Sequence, residues 1–278
     1  MSNPEKTLNS WEKFYKIKNY VENMLVLIIF QQKNLILTFI LICLITIINY
    51  YFKEYLKTTL DIKIGPGQTD SKIFFYPNKY KFFNQLKKSW KIIRDEAINI
   101  MENSPKLNIS RTINDWHDSK SYFETIRNKE GWIRSWSYEP EDLEQNPDGN
   151  YEWLNYGLLY FGEKFDENVK KCPKTFELLD KISPHINICG FSWMFGNCLL
   201  QPHTDITGLT SGSLAMHLGL LVPKPDNTCR LIIKNEDQYF YMNESDGKMF
   251  IFDATWEHYA YNLSNQDRLI LYVDFKTI

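Results

Sequence analysis

Short apolar runs separated by turn-forming residues fill the chain from about Gly190 to its end. FSWMF (191–195), LAMHLGLLV (214–222), CRLIIK (229–234), QYFYM (238–242), KMFIFD (248–253) and RLILYVDF (268–275) are rich in β-branched and aromatic residues, which suit a pleated, half-buried surface. Pro225, Asn235, Gly247 and Asn265 punctuate them. Many short strands so close in sequence predict an antiparallel sandwich or jelly roll. Upstream the period changes. Between Phe83 and Met101, the residues Leu86, Trp90, Ile93, Ala97 and Ile100 recur at three- and four-residue steps, which predicts an amphipathic helix. Pro173 to Ile182 carries Phe176, Leu179 and Ile182 on one face and predicts another. With these helices packed outside the sheets, the expected class is α+β, mainly β.

The N-terminal part reads differently. Leu35 to Ile48 (LILTFILICLITII) is uncharged and almost wholly apolar, and Tyr50, Tyr51 and Phe52 follow. A bilayer crossing needs roughly 17–25 residues, so 35–52 is just long enough to span one. The tyrosines fall where an interfacial aromatic belt is expected. A buried core helix is the alternative. The polar stretch before the run argues against a cleaved signal peptide. The expected organisation is a polar segment at 1–34, a transmembrane helix at 35–52, a linker at 53–80 with Gly65, Pro66 and Gly67, and one globular domain at 81–278. Lysines flank the apolar run on both sides (Lys16, Lys18 and Lys33; Lys53, Lys57, Lys63 and Lys72), so they set no orientation.

Composition narrows the classes. A hydrophobic content of 44% with 15% aromatic residues belongs to a folded chain. The net charge of -2 lacks the basic excess of a nucleic-acid-binding protein, so no such partner is expected. None of the five cysteines forms a CxxC pair, so a structural zinc site is not expected. Cys43 lies in the apolar run. In an oxidising lumen Cys172, Cys189, Cys198 and Cys229 can pair in three ways; otherwise they are buried thiols. Asn-x-Ser/Thr sequons at Asn108, Asn243 and Asn262 lend slight support to a lumenal domain on a single-pass membrane protein.

Candidate chemistry lies among five histidines: His117, His185, His203, His217 and His258. His203 and Asp205 form an H-x-D pair, and residues two apart on a strand project to one face. His258 follows the strand KMFIFD and the turn DATWEH, which can return it to the same point. Two imidazoles and one carboxylate form the facial triad of non-haem iron(II) oxygenases, with other positions left open. Any one of these residues alone reads as an ordinary core or surface side chain. Arg268 opens the next strand, and its guanidinium suits a bidentate grip on a carboxylate such as the far one of 2-oxoglutarate. Structural pairing with Asp253 or Asp274 is the other reading of Arg268.

The segments PHTD (202–205), HLGLLVP (217–223), FDATWEH (252–258) and RLILYVDF (268–275) resemble the aspartyl/asparaginyl β-hydroxylase family, which includes lipid A hydroxylases. Weaker likeness runs through WKIIRDEA (90–97) and CPKTFELLDKI (172–182). The resemblance implies a double-stranded β-helix core of the cupin-like kind with flanking helices. It implies iron(II) held by His203 and His258, and 2-oxoglutarate contacted by Ser192, His217 and Arg268, with dioxygen as co-substrate. Read from the residues alone, Ser192 is an ordinary strand hydroxyl and His217 a core histidine bonded to backbone.

Two positions depart from the family pattern. Animal members have a glycine where Asp205 stands, whereas the lipid A hydroxylases keep the carboxylate. The family arginine two residues before the HLGL histidine is Ala215 here, with Arg230 on a neighbouring strand as a candidate replacement. The function implied is 2-oxoglutarate-dependent hydroxylation of Asp or Asn in a peptide or protein. The alternatives are hydroxylation of a lipid acyl chain, or a catalytically weak binding or scaffold protein on the same fold.

Overall fold

The computed structural model describes residues 43–44, 46–47, 64–65, 73–75, 77–107, 123–124, 126–135, 150–205, 213–235 and 238–276. The chain divides into two compact units, Met1–Lys63 and Ile64–Ile278. In the first, Cys43, Leu44, Thr46 and Ile47 are helical. The rest of the expected span at 35–52, and the polar segment at 1–34, lie outside the described residues. Among the described residues no helix is long and apolar enough to cross a membrane.

The second unit begins with strands β1 (Ile64–Gly65) and β2 (Phe74–Phe75), both inside the stretch expected as a linker. Then come β3 (Ile133–Ser135), β4 (Asn150–Tyr160) and β5 (Glu163–Lys164). From here the chain winds between two sheets through β6 (Ile186–Met194), β7 (Cys198–His203), β8 (Ser213–Leu221) and β9 (Cys229–Asn235). It continues through β10 (Gln238–Asn243), β11 (Met249–Phe252), β12 (His258–Asn262) and β13 (Arg268–Lys276). The smaller sheet has the order β1-β10-β9-β12-β7. The larger runs β2-β11-β8-β13-β6-β4-β3, with β5 on β4. Strands β6, β8, β11 and β13 thus face β7, β9, β10 and β12, the alternation of a double-stranded β-helix.

Packing explains why the strands read as they do. Met194, Ala215, Phe250 and Phe252 of the larger sheet meet Leu200, Leu231, Ile233 and Ala260 of the smaller in one interior cluster. The other face of the larger sheet buries Met216, Leu218, Leu269, Leu271 and Val273 against helical residues such as Ile93, Ala97 and Leu179. Both faces of β8 and β13 are therefore dry, so these strands appear in sequence as dense apolar runs broken only by a few buried polar residues such as His217, Arg268 and Asp274. Against β6, strand β4 runs so close that a Cβ at Gly190 would stand 2.4 Å from the Tyr156 carbonyl oxygen.

The helix expected over Phe83–Met101 is two: α1 (Asn84–Lys88) and α2 (Trp90–Asn103). Ser89 leaves helical geometry between them (φ -93°, ψ 12°), and its carbonyl starts the second helix by accepting from Ile92 and Ile93. Buried Leu86 and Ile93 stand in the same helical phase across the break, so periodicity cannot reveal it. After α3 (Asp166–Val169), helix α4 (Pro173–Asp180) opens on a proline, which needs no N–H partner there. Its next donors are met by α2: Glu96 accepts from the Lys174 and Thr175 N–H groups (3.1 and 2.8 Å) and from the Thr175 hydroxyl (2.7 Å).

All five cysteines are free thiols, and the four outside the apolar run are buried. Burial pushes the Cys229 thiol up to about 12. The sequon residue Asn262 is 0% exposed; its amide nitrogen donates to the Phe195 and Gln266 carbonyls, and its oxygen accepts from Ser264. It is no glycan acceptor in the folded protein.

Candidate metal centre

Adjacent strands β7 and β12 place His203 directly opposite His258, with ring centroids 4.3 Å apart. The strand expected to carry both members of the H-x-D pair ends at His203. Asp205 instead lies in the segment that follows, tied by its N–H to the Ala254 carbonyl (3.0 Å). Ala254 belongs to the turn that returns the chain to His258. That turn is organised by Asp253, whose carboxylate accepts from the Thr255 N–H (3.0 Å) and hydroxyl (2.6 Å). One turn thus sets both His258 and the position of Asp205.

One ligand atom from each of His203, Asp205 and His258 lies within 4.8 Å of the other two. Asp205 Oδ1 is 3.7 Å from His203 Nε2 and 3.9 Å from His258 Nε2. His258 Nδ1 lies 2.9 Å from the Trp256 carbonyl oxygen. That oxygen only accepts, so Nδ1 carries a proton and Nε2 is the nitrogen turned toward the carboxylate. The other oxygen, Oδ2, accepts from the Tyr272 hydroxyl at 2.7 Å. Burial pushes the Tyr272 phenol up and the nearby Asp205 charge adds to it, so Tyr272 stays a donor. Two imidazole nitrogens and one carboxylate oxygen converge on one point and can hold a divalent metal ion.

The remaining expected residues line the interior face of the larger sheet. Ser192 alternates in phase with Met194, and its hydroxyl accepts from the Trp153 indole (2.8 Å), whose ring lies 6.5 Å from that of His203. His217 is packed by Phe250, Phe252 and Tyr272. Arg268 pairs with neither Asp253 nor Asp274. It grips Glu244 through Nε and Nη2, and His217 Nδ1 lies 3.0 Å from the same carboxylate. Burial pushes the His217 imidazolium down, so the ring is a neutral donor to Glu244. Arg230 cannot fill in for the guanidinium missing at Ala215. It alternates with interior Leu231, lies over Tyr241 and bonds Asn243, on the opposite face of the smaller sheet. His185 stacks on Phe82 in the helical layer, and His117 lies outside the described residues.

The model of the family "Aspartyl/Asparaginyl beta-hydroxylase" matches residues 87–277. The chain belongs to the aspartyl/asparaginyl β-hydroxylase family. Every quoted motif and site residue of this β-hydroxylase family member falls inside the matched stretch. It is 37% identical over 123 residues to an ornithine lipid ester-linked acyl 2-hydroxylase of Rhizobium tropici, covering 44% of this chain and 41% of that protein. It is 28% identical over 193 residues to the aspartyl/asparaginyl beta-hydroxylase of Mus musculus, covering 68% of this chain and 20% of that one. The chain therefore spans less than half the length of either relative. Among solved structures, a 2OG-Fe(II) oxygenase family oxidoreductase from Burkholderia pseudomallei aligns at 8% identity with a TM-score of 0.38, over 62% of this chain and 95% of that one.

The candidate site includes three residues that sequence reasoning passed over: Glu244, Tyr272 and Trp153. Tyr272 was visible only as one more apolar position in RLILYVDF. Glu244 sits in the turn-like NESDG, where an acidic residue reads as solvated, yet it is 1% exposed.

Proposed function

We propose that this chain is an iron(II)- and 2-oxoglutarate-dependent hydroxylase, with the metal on His203, Asp205 and His258. The convergence of those three ligand atoms within 4.8 Å carries the reading. When bound, iron and 2-oxoglutarate supply oxidation of an unactivated C–H bond by dioxygen, one oxygen atom entering the product and the other entering succinate as carbon dioxide leaves. The chain's own residues bind and orient. Trp256 and Tyr272 hold His258 and Asp205 in ligating orientation. His217 and Arg268 form a cradle for a far carboxylate, supported by the carboxylate of Glu244 already seated there. Ser192, held by Trp153, adds a hydroxyl on the same interior face. The apolar cluster around the site excludes water.

The substrate we assign is an Asp or Asn side chain of a peptide or protein, in line with the mouse relative's name. An acyl chain is a second reading, favoured by the Asp205 carboxylate and the more identical acyl 2-hydroxylase relative. Membrane attachment through 35–52 belongs to the same proposal. Purified chain supplied with iron(II), 2-oxoglutarate and either an Asp-rich peptide or an ornithine lipid tests the activity and the substrate. Succinate that forms only with iron, and is lost in His203→Ala and Asp205→Ala, is expected; its absence would leave a binding or scaffold role.

A further inference from the structure

The carboxylate of Glu244 sits where the proposed co-substrate would place its own. Glu244 directly follows β10 and is 1% exposed, beside Arg268 at 2% and His217 at 6%. Burial alone would raise its acid, but the Arg268 guanidinium outweighs it and holds the group at about 2. The backbone beneath is pinned. The Glu244 N–H donates to the Cys229 carbonyl (3.0 Å). The turn after it is laced to β8 by Gly219 N–H to the Lys248 carbonyl and Gly247 N–H to the Gly219 carbonyl, both 2.9 Å. Val222 N–H adds a bond to the Asp246 carboxylate at 2.8 Å. A Cβ at Gly219 would stand 2.1 Å from the Ser245 carbonyl oxygen, so turn and strand are in direct contact. Only rotation of the side chain can vacate the cradle.

We propose that Glu244 is a built-in occupant of the Arg268–His217 carboxylate cradle, so that a dicarboxylate 2-oxo acid binds this chain in competition with it. The proposal rests on the reading that the site takes a 2-oxo acid. One guanidinium carries one positive charge, and Glu244 already neutralises it. A second carboxylate in the same buried cradle meets a like charge and gains no new cation. Ala215, on the interior face, adds a methyl and no charge. The rival arrangement has Glu244 steadying Arg268 while Nη1, which takes no part in the pair, grips the co-substrate. It gives the opposite sign on removal of the charge.

The experiment titrates the full chain, loaded with iron(II) without oxygen, with 2-oxoglutarate and with 2-oxopentanoate, which has the same carbon chain but no far carboxylate. In Glu244→Gln, 2-oxoglutarate is expected to tighten by about tenfold or more, with 2-oxopentanoate unchanged. Unchanged or weaker 2-oxoglutarate binding in the variant overturns the proposal and leaves the co-substrate reading standing. Failure of both proteins to bind 2-oxoglutarate, while both bind the metal, overturns that reading and the proposal with it. Wild-type protein alone gives a second test should the variant not fold. Affinities for the two acids within about tenfold support the occupant, and a larger preference for the dicarboxylate overturns it. Metal-free melting is the third: glutarate should raise the midpoint of Glu244→Gln and not of wild type, and no rise in the variant counts against the proposal.

Discussion

Tyr272 of the larger sheet donates its hydroxyl to Asp205 Oδ2 at 2.7 Å, tying the centre of β13 to the segment after β7. This bond leaves Oδ1 as the oxygen that faces both histidines. Partners behind a ligand of this kind set its orientation, and their loss typically costs about 10–100-fold in metal affinity. Tyr272→Phe keeps the ring and removes the donor. We expect iron(II) or manganese(II) affinity to fall by about tenfold, measured by titration, while His217 and Arg268 stay in place. Unchanged affinity would remove Tyr272 from the metal site.

Glu96 makes a separable claim about the fold. Its carboxylate caps α4 from α2 through three hydrogen bonds, and both helices cover the face of the larger sheet that looks away from the metal centre. Glu96→Ala is expected to cost about 1–2 kcal/mol of stability, the scale of a lost helix cap with charged acceptors. Metal affinity should be untouched. Chemical denaturation checks the first statement and metal titration the second; a fall in affinity would mean that the helical layer reaches the site.

The particular elements show what a single sequence can carry. Strands β8, β9, β11 and β13 were legible because burial on both faces, or on one face of a continuous ladder, leaves dense β-branched and aromatic runs. Strands β7 and β12 were not. The first holds Pro202 and His203, the second begins at His258, and both give up apolar positions to polar side chains at the site. β4 is interrupted by Asn150, Glu152 and Asn155. The three candidate ligands, which the structure brings together, were nonetheless legible as a group, since H-x-D, the EH of the turn and a following arginine are chemical signals that need no strand assignment. The geometry behind them differs from strand alternation: β7 ends at His203, and Asp205 reaches the site through a backbone bond to Ala254. Glu244 had no signal at all, because its burial depends on β8 and β13 closing over it.

His217 predicts a dependence on pH. Burial lowers its pKa in the folded chain, with Glu244 pulling the other way. The unfolded chain binds a proton near pH 6.5, and the folded one resists it, so stability rises with pH through that window. The contribution is complete above about 6.5 and is lost as pH falls toward the lower folded value. Glu244 also has a depressed pKa, so its share is present above the ordinary carboxylate range and disappears only as pH falls to about 2. Melting of metal-free wild type and His217→Gln from pH 8 to 5 should give a shallower decline in the variant. Parallel curves would show that another group carries the acid sensitivity.

Arg268 and Glu244 together separate what holds the fold from what binds a ligand. Removing one member of a buried pair strands the other charge, so Arg268→Met alone is expected to cost roughly 3–5 kcal/mol. Replacing both by apolar residues of similar size is often neutral. The double variant Arg268→Met, Glu244→Met should therefore recover most of that loss in urea unfolding. It should not gain the tighter 2-oxoglutarate binding expected of Glu244→Gln, because the guanidinium is gone in both the single and the double variant. A double variant as unstable as the single one would mean that the interior closes poorly around two thioethers. A double variant that bound 2-oxoglutarate as tightly as Glu244→Gln does would place the far carboxylate elsewhere and free Arg268 from any role beyond the pair.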